Sequence, residues 1–158
     1  VYEMLIDLGA RTLISRVDDY DLSDVYAKNH KIQDLKKRIA YMKENQADLF
    51  VSIHLNSFSN SDVSGAQVFY KKNVPSSEEF ALVMQQTFNS INKKEKKPKV
   101  GDYYLLNNSG DLNGVMVECG FLSNTEERNQ LITDAYQEKI ASLIKDGILA
   151  YLEAKNRI

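Results

Sequence analysis

The stretch Asp48 to His54 (DLFVSIH) limits the fold more than any other part of the chain. It is nearly continuous and apolar, the pattern of a central strand covered on both faces, and such a strand requires helices above and below it. Its neighbours supply them. Ile32 to Met42 carries apolar residues at 32, 35, 39 and 42, one face of an amphipathic helix. Ser76 followed by Glu79 has capping-box spacing and opens a helix bearing Phe80, Val83, Met84, Phe88 and Ile91. Asn124 caps a short helix through Leu131, with Glu127 at the capping-box position, and Tyr136 to Ala154 aligns Ile140, Leu143, Ile144 and Ile148 along one stripe. Further strands are expected at Arg11 to Arg16, Gly65 to Tyr70, Tyr103 to Leu106 and Val115 to Glu118. Strands alternating with amphipathic helices predict an α/β domain with a central mixed, largely parallel sheet and helices on both faces.

Residues 17 to 30 read as a long surface loop of the kind that borders a functional site. The run KKEKKPKVG (93 to 101) has no periodicity and reads as a mobile basic loop. It is either a solvated charge run or a contact for anionic polymers or carboxylates. With 158 residues the chain has room for one core, and no boundary or repeat divides it. The net charge of −2 gives no electrostatic footprint for nucleic acid, and no apolar run reaches the roughly 20 residues of a membrane span. One cysteine, Cys119, excludes an intrachain disulfide. Apolar positions 1, 4, 5 and 8 have helical spacing with Gly9 as a stop, so the sequence is expected to start inside a helix, with a signal or anchor upstream.

In an open α/β sheet, ligands bind at the carboxyl ends of the strands. Two apolar strands here end in residues for which a strand has no structural use: DLFVSIH ends at His54, and VMVE ends at Glu118. A carboxylate at the end of a buried strand costs several kcal/mol unless it is paired, hydrogen-bonded or near a metal. Each residue alone has a plain structural reading, the histidine as a hydrogen-bonded strand end and the glutamate as a helix cap. Together they mark a candidate site.

The strings around them, Ala47 to Asn56 (ADLFVSIHLN) and Val117 to Asn124 (VECGFLSN), resemble the two C-terminal motifs of the zinc-dependent N-acetylmuramoyl-L-alanine amidases of the amidase-3 type. Leu8-Gly9-Ala10 leading to Ser15-Arg16, and Asp34-Leu35 with Arg38, are similar to further segments of that family. Ser64 to Gln67 (SGAQ) with Phe69-Tyr70 looks most like its spore-cortex and germination branch. The resemblance implies a monomeric, extracytoplasmic enzyme acting on peptidoglycan, and it implies zinc. Water activated by Zn2+ would cleave the amide between N-acetylmuramic acid and L-alanine, with Glu118 as general base. Of the family's three zinc ligands only the third, His54, has a counterpart here. The other two, with the first strand and the start of the first helix, are expected upstream of Val1, so the chain as it stands is expected to be inactive alone. Zinc catalytic sites use three protein ligands. His30, in a polar loop, reads as a surface residue.

Ser52 shares the strand face of His54 by period two, and Ser52 or Asn56 is a candidate for orienting the imidazole. Tyr103 is a candidate for lining the substrate groove, and core packing accounts for it equally well. Gly120 reads as a tight turn. Two rivals stand beside the amidase: a cysteine hydrolase using Cys119 and His54, and a non-catalytic wall-binding module. Adjacent strand residues face opposite ways, so Glu118 and Cys119 cannot both face one site within a regular strand.

Overall fold

The computed structural model describes residues 1–156. In chain order the elements are α1 (Tyr2–Ile6), α2 (His30–Glu44), β1 (Leu49–Asn56), β2 (Gln67–Tyr70), α3 (Pro75–Asn89), β3 (Lys99–Val100), α4 (Tyr104–Asn108), β4 (Asn113–Phe121), α5 (Thr125–Leu131) and α6 (Asp134–Ala154). The four strands form one mixed sheet in the order β1-β4-β2-β3. β1 runs parallel to β4, β2 antiparallel to β4, and β3 parallel to β2.

The most apolar strand occupies the middle. Every residue of β4 from Gly114 to Phe121 is buried, as a strand covered on both faces must be. Alternation sends its side chains to two cores. Val115, Val117 and Cys119 pack with Phe80, Ala81, Met84 and Phe88 of α3 and with Ile140, Ile144 and Tyr151 of α6. On the opposite face Met116 packs with Phe50, with Ile39 of α2, and with Leu105 and Leu106 of α4. Phe80, Met84 and Phe88 are fully buried, and each contributes about 1.5–3 kcal/mol through area removed from water. Two glycines make close approaches possible. A Cβ on Gly114 would sit 2.2 Å from the Phe50 ring, and one on Gly147 would sit 2.6 Å from Met84 Sδ.

Several local expectations are corrected. β1 is an edge strand, not the central one: Ile53 and Leu55 stay 51% and 48% exposed. Its apolar run signals burial only over its first half. Arg11 to Arg16 forms no strand. With no ladder partner among the described residues it runs as coil, tied down by Arg11 Nη1 donating to Asn45 O at 3.1 Å. Tyr103 to Leu106 is the start of α4 rather than a strand, with Leu105 and Leu106 turned into the core. The cap of α3 is Val74 with Pro75 in the first turn, not a Ser76 box. Ser77 is the serine with a structural role there, its Oγ donating to Gly114 O at 2.7 Å and accepting from Lys71 N at 3.1 Å. Asn124 does cap α5, accepting from Glu127 N.

The polar segment before α2 is folded onto that helix. Asp34, buried, accepts from Leu22 N at 2.9 Å and pairs with Arg38 Nε at 2.9 Å. One carboxylate thereby fixes both the loop and an arginine on the face that carries the candidate site.

Candidate active site

His54 and Glu118 are direct partners in the β1–β4 ladder. Both lie at the carboxyl ends of their strands, and alternation places them on the face of Phe50 and Met116, beyond the apolar cover of α2 and α4. Immediately afterwards the ladder slips. His54 opposes Glu118 but Asn56 opposes Phe121, so β4 carries one extra residue and bulges at Cys119-Gly120. Gly120 therefore belongs to a strand bulge rather than to a tight turn. Bulges next to functional groups re-aim side chains, and this one separates Glu118 from the last pair of the ladder.

Glu118 is 6% exposed, and its Oε2 has no hydrogen-bond partner. Burial raises the pKa of its carboxyl group. A buried unpaired acid of this kind is a place where structure gives up stability. Across the ladder, His54 keeps part of its surface in solvent, and its ring Nε2 lies 2.7 Å from Ser52 Oγ. Partial burial lowers its pKa first, and the charges of Arg38, Arg16 and Lys31 lower it further. The imidazole is thus held neutral at pH 7, the form that ligates metals. Arg38 owes its position to the Asp34 pair described above, a contribution that the sequence pattern did not disclose.

The remaining candidates separate. Ser52 joins His54. Tyr103 stands at the start of α4 with its ring edge-on to Phe69, centroids 5.2 Å apart. Burial raises the pKa of its phenol, and the Glu118 charge adds to the shift, so the hydroxyl lies within reach of that field. Asn56 instead ends β1, its side chain accepting from the adjacent Ser57 N at 2.7 Å. His30 is exposed, 2.6 Å from Ser23 Oγ. Cys119 projects into the α3/α6 core, on the face opposite the His54 imidazole although its thiol reaches the His54 backbone, and burial pushes its pKa up to about 12. Reactive thiols are accessible and have depressed pKa values. In folded protein, a thiol-alkylating reagent is expected to leave Cys119 unmodified and hydrolysis unchanged, as mass spectrometry would show. Rapid alkylation that stops turnover would restore the thiol mechanism.

Among the described residues, no three His, Cys, Asp or Glu side chains gather as a metal-binding set. What this chain offers a metal is one neutral imidazole beside one unpartnered carboxylate. That fits part of a zinc site and not all of one. No helix among the described residues is long and apolar enough to cross a membrane.

The fold and motifs are shared with known proteins. The germination-specific N-acetylmuramoyl-L-alanine amidase of Bacillus subtilis strain 168 is 34% identical, over 98% of this chain and 67% of its own length. The CwlD amidase of Clostridioides difficile, solved in complex with the GerS lipoprotein, superposes with a TM-score of 0.87 at 36% identity, covering 96% of this chain and 80% of that one. The catalytic domain of CwlV, an N-acetylmuramoyl-L-alanine amidase from Bacillus (Paenibacillus) polymyxa var. colistinus, gives 0.80 at 27% identity, covering 96% and 78%. Residues 1–150 match the Amidase_3 family, and with His54 and Glu118 set side by side at the rim of its sheet the chain belongs to the N-acetylmuramoyl-L-alanine amidases.

Proposed function

We propose that this chain carries the catalytic carboxylate and one zinc ligand of a peptidoglycan hydrolase that cuts between N-acetylmuramic acid and L-alanine, acting outside the cytoplasm on spore cortex during germination. The observation that carries the reading is the unpartnered, buried Glu118 carboxyl group opposite His54. Kinship with the germination-specific amidase supports the biological setting.

His54 would supply an imidazole nitrogen to the ion, and two further protein ligands would come from residues other than those described. When bound, zinc supplies Lewis-acid polarisation and a lowered pKa for water. Glu118 does the proton work. Its burial makes the carboxylate a stronger base than a surface glutamate, and its free Oε2 can take a proton from the attacking water and return it to the leaving amine. The Tyr103 hydroxyl, whose pKa burial raises, would donate to substrate on the same side.

Ser52 positions His54. Its hydrogen bond engages Nε2 and leaves the second ring nitrogen available, the arrangement in which outer partners typically change metal affinity or activity 10- to 100-fold. Ser52→Ala is expected to weaken zinc binding by about tenfold with the fold retained, and Ser52→Thr to recover it. Zinc titration reads both. The activity itself is tested by incubating purified peptidoglycan with full-length protein and zinc. New L-alanine amino termini without new reducing sugars are expected. Reducing sugars alone, or wall binding without release, would refute it.

A further inference from the structure

A groove of about 790 Å³ opens beside the candidate active site, of a size that suits a peptide of a few residues. Neither His54 nor Glu118 lines it. Asn56 and Phe121, the ladder pair that follows them, form its near end. Phe58 and Val63 give it apolar surface, and the far wall is built from the 93–99 segment, whose five lysines all line the groove.

That segment is not the mobile loop that its composition suggests. Asn89 accepts from Lys96 N and donates to Lys96 O, both at 3.0 Å, and Gln67 Nε2 donates to Lys97 O at 2.8 Å. Lys99-Val100 then pairs with β2. Two of the lysines have structural duties. Lys96 Nζ donates to the carbonyls of Ser64 and Gly65, and Lys93 pairs with Glu126 at 2.6 Å. Lys94, Lys97 and Lys99 are exposed and have no ion pair among the described residues. Against them stands Asp62 on the groove lining. The held backbone thus keeps like charges together; burial lowers the pKa of Lys96, the Glu127 charge opposes that shift, and the Lys99 charge adds to it. An anion would relieve that repulsion.

Register fixes where Lys99 stands, and Lys97 precedes it by two residues, its carbonyl held by Gln67. Lys99 opposes Phe69, which opposes Met116, so Lys99 shares the sheet face of Glu118 at two strand spacings, about 10 Å away laterally. An extended peptide advances about 3.3–3.6 Å per residue, so a carboxylate within a few residues of the scissile amide falls beside these ammonium groups. We propose that Lys97 and Lys99 are specificity determinants that bind carboxylates on the peptide side of the substrate as it lies in this groove. This rests on the amidase reading and adds the part of the substrate that the chain recognises. The apolar surface of Phe58, Val63 and Phe121 beside the cations suits a short acidic peptide better than a phosphate polymer, which has no apolar side chains to lay against it.

The test compares wild type with Lys97→Gln/Lys99→Gln in the full-length, zinc-loaded protein. The substrates are soluble muropeptides with free carboxylates and the same muropeptides with those carboxylates amidated. Removing two solvent-screened ion pairs is expected to raise KM about 5- to 10-fold with kcat unchanged. Amidation should raise the wild-type KM by the same factor and leave the double variant unaffected, and 0.5 M salt should shrink the difference. Equal KM for the two proteins, or an equal loss on amidated substrate, would overturn the proposal. So would a defect confined to walls bearing phosphate polymer. Binding of the free acidic stem peptide to Glu118→Gln protein, by calorimetry with and without the lysine changes, separates this proposal from the catalytic one. If wild type releases no L-alanine termini but the lysines still set peptide affinity, the amidase reading fails and the groove stands. If hydrolysis proceeds and affinity ignores the lysines, the groove assignment alone fails.

Discussion

Glu118→Gln is expected to cut amide hydrolysis by about 10²- to 10⁴-fold, the usual contribution of a positioned general base, while making the metal-free protein more stable at neutral pH. The two effects have one origin. The wild-type carboxyl group is buried with Oε2 unpartnered, and burial raises its pKa from 4.5. A glutamate raised in the folded state binds more protons there than in the unfolded chain across the window above pH 4.5. Stability therefore falls as pH rises through that window. The amide is isosteric and does not titrate, so its advantage over wild type should be absent at low pH and grow as pH rises above 4.5. Denaturant unfolding of both proteins in chelator, across pH, measures it. A wild type that gains stability over that range relative to Glu118→Gln would mean that the carboxylate is satisfied in the fold and not held in reserve for chemistry. A non-catalytic wall-binding module predicts no kinetic change at all.

His54→Ala should produce the second large effect, with the opposite profile. The ring is exposed and its one hydrogen bond is to Ser52, so truncation removes little packing and the melting temperature should hardly move. Zinc content and hydrolysis should both be lost, because three protein ligands are the minimum for a catalytic zinc site and two do not replace them. Metal analysis and activity on the same preparation read the outcome. Retained zinc with lost activity would make His54 a substrate or proton-transfer residue and not a ligand. Lost folding would make it structural.

His54 and Glu118 could be read from the chain because each is a polar, chemistry-bearing residue near the end of an otherwise apolar strand, although the strands run on past them to Asn56 and Phe121. Alternation also anticipated that Cys119 and Glu118 face opposite sides, which the two cores bear out. What could not be read was long-range. Whether DLFVSIH lies at the centre or edge of the sheet depends on which strands flank it, and burial fades at Ile53 and Leu55, where the core that holds Leu49 and Val51 on the same face ends. Tyr103 to Leu106 has strand-like composition, yet four apolar or aromatic residues serve equally well as a helical turn when Leu105 and Leu106 have a core to fill. The lysine segment looked unstructured because its order comes from polar side chains, Asn89 just before it and Gln67 far upstream, which leave no periodic trace. Arg38 is similar: its i,i+4 pairing with Asp34 is visible in the chain, but not its effect on His54 across the fold.

Everything proposed here requires the imidazole at 54 and the carboxyl group at 118 to serve one ion. Crystals of the full-length zinc-loaded protein, with anomalous data at the zinc edge, test that directly. The expected result is a single zinc peak about 2.0–2.1 Å from a ring nitrogen of His54, with Glu118 outside the coordination shell and within hydrogen-bond reach of its open position. A zinc peak elsewhere, or one at which Glu118 points away or is itself a ligand, would contradict it.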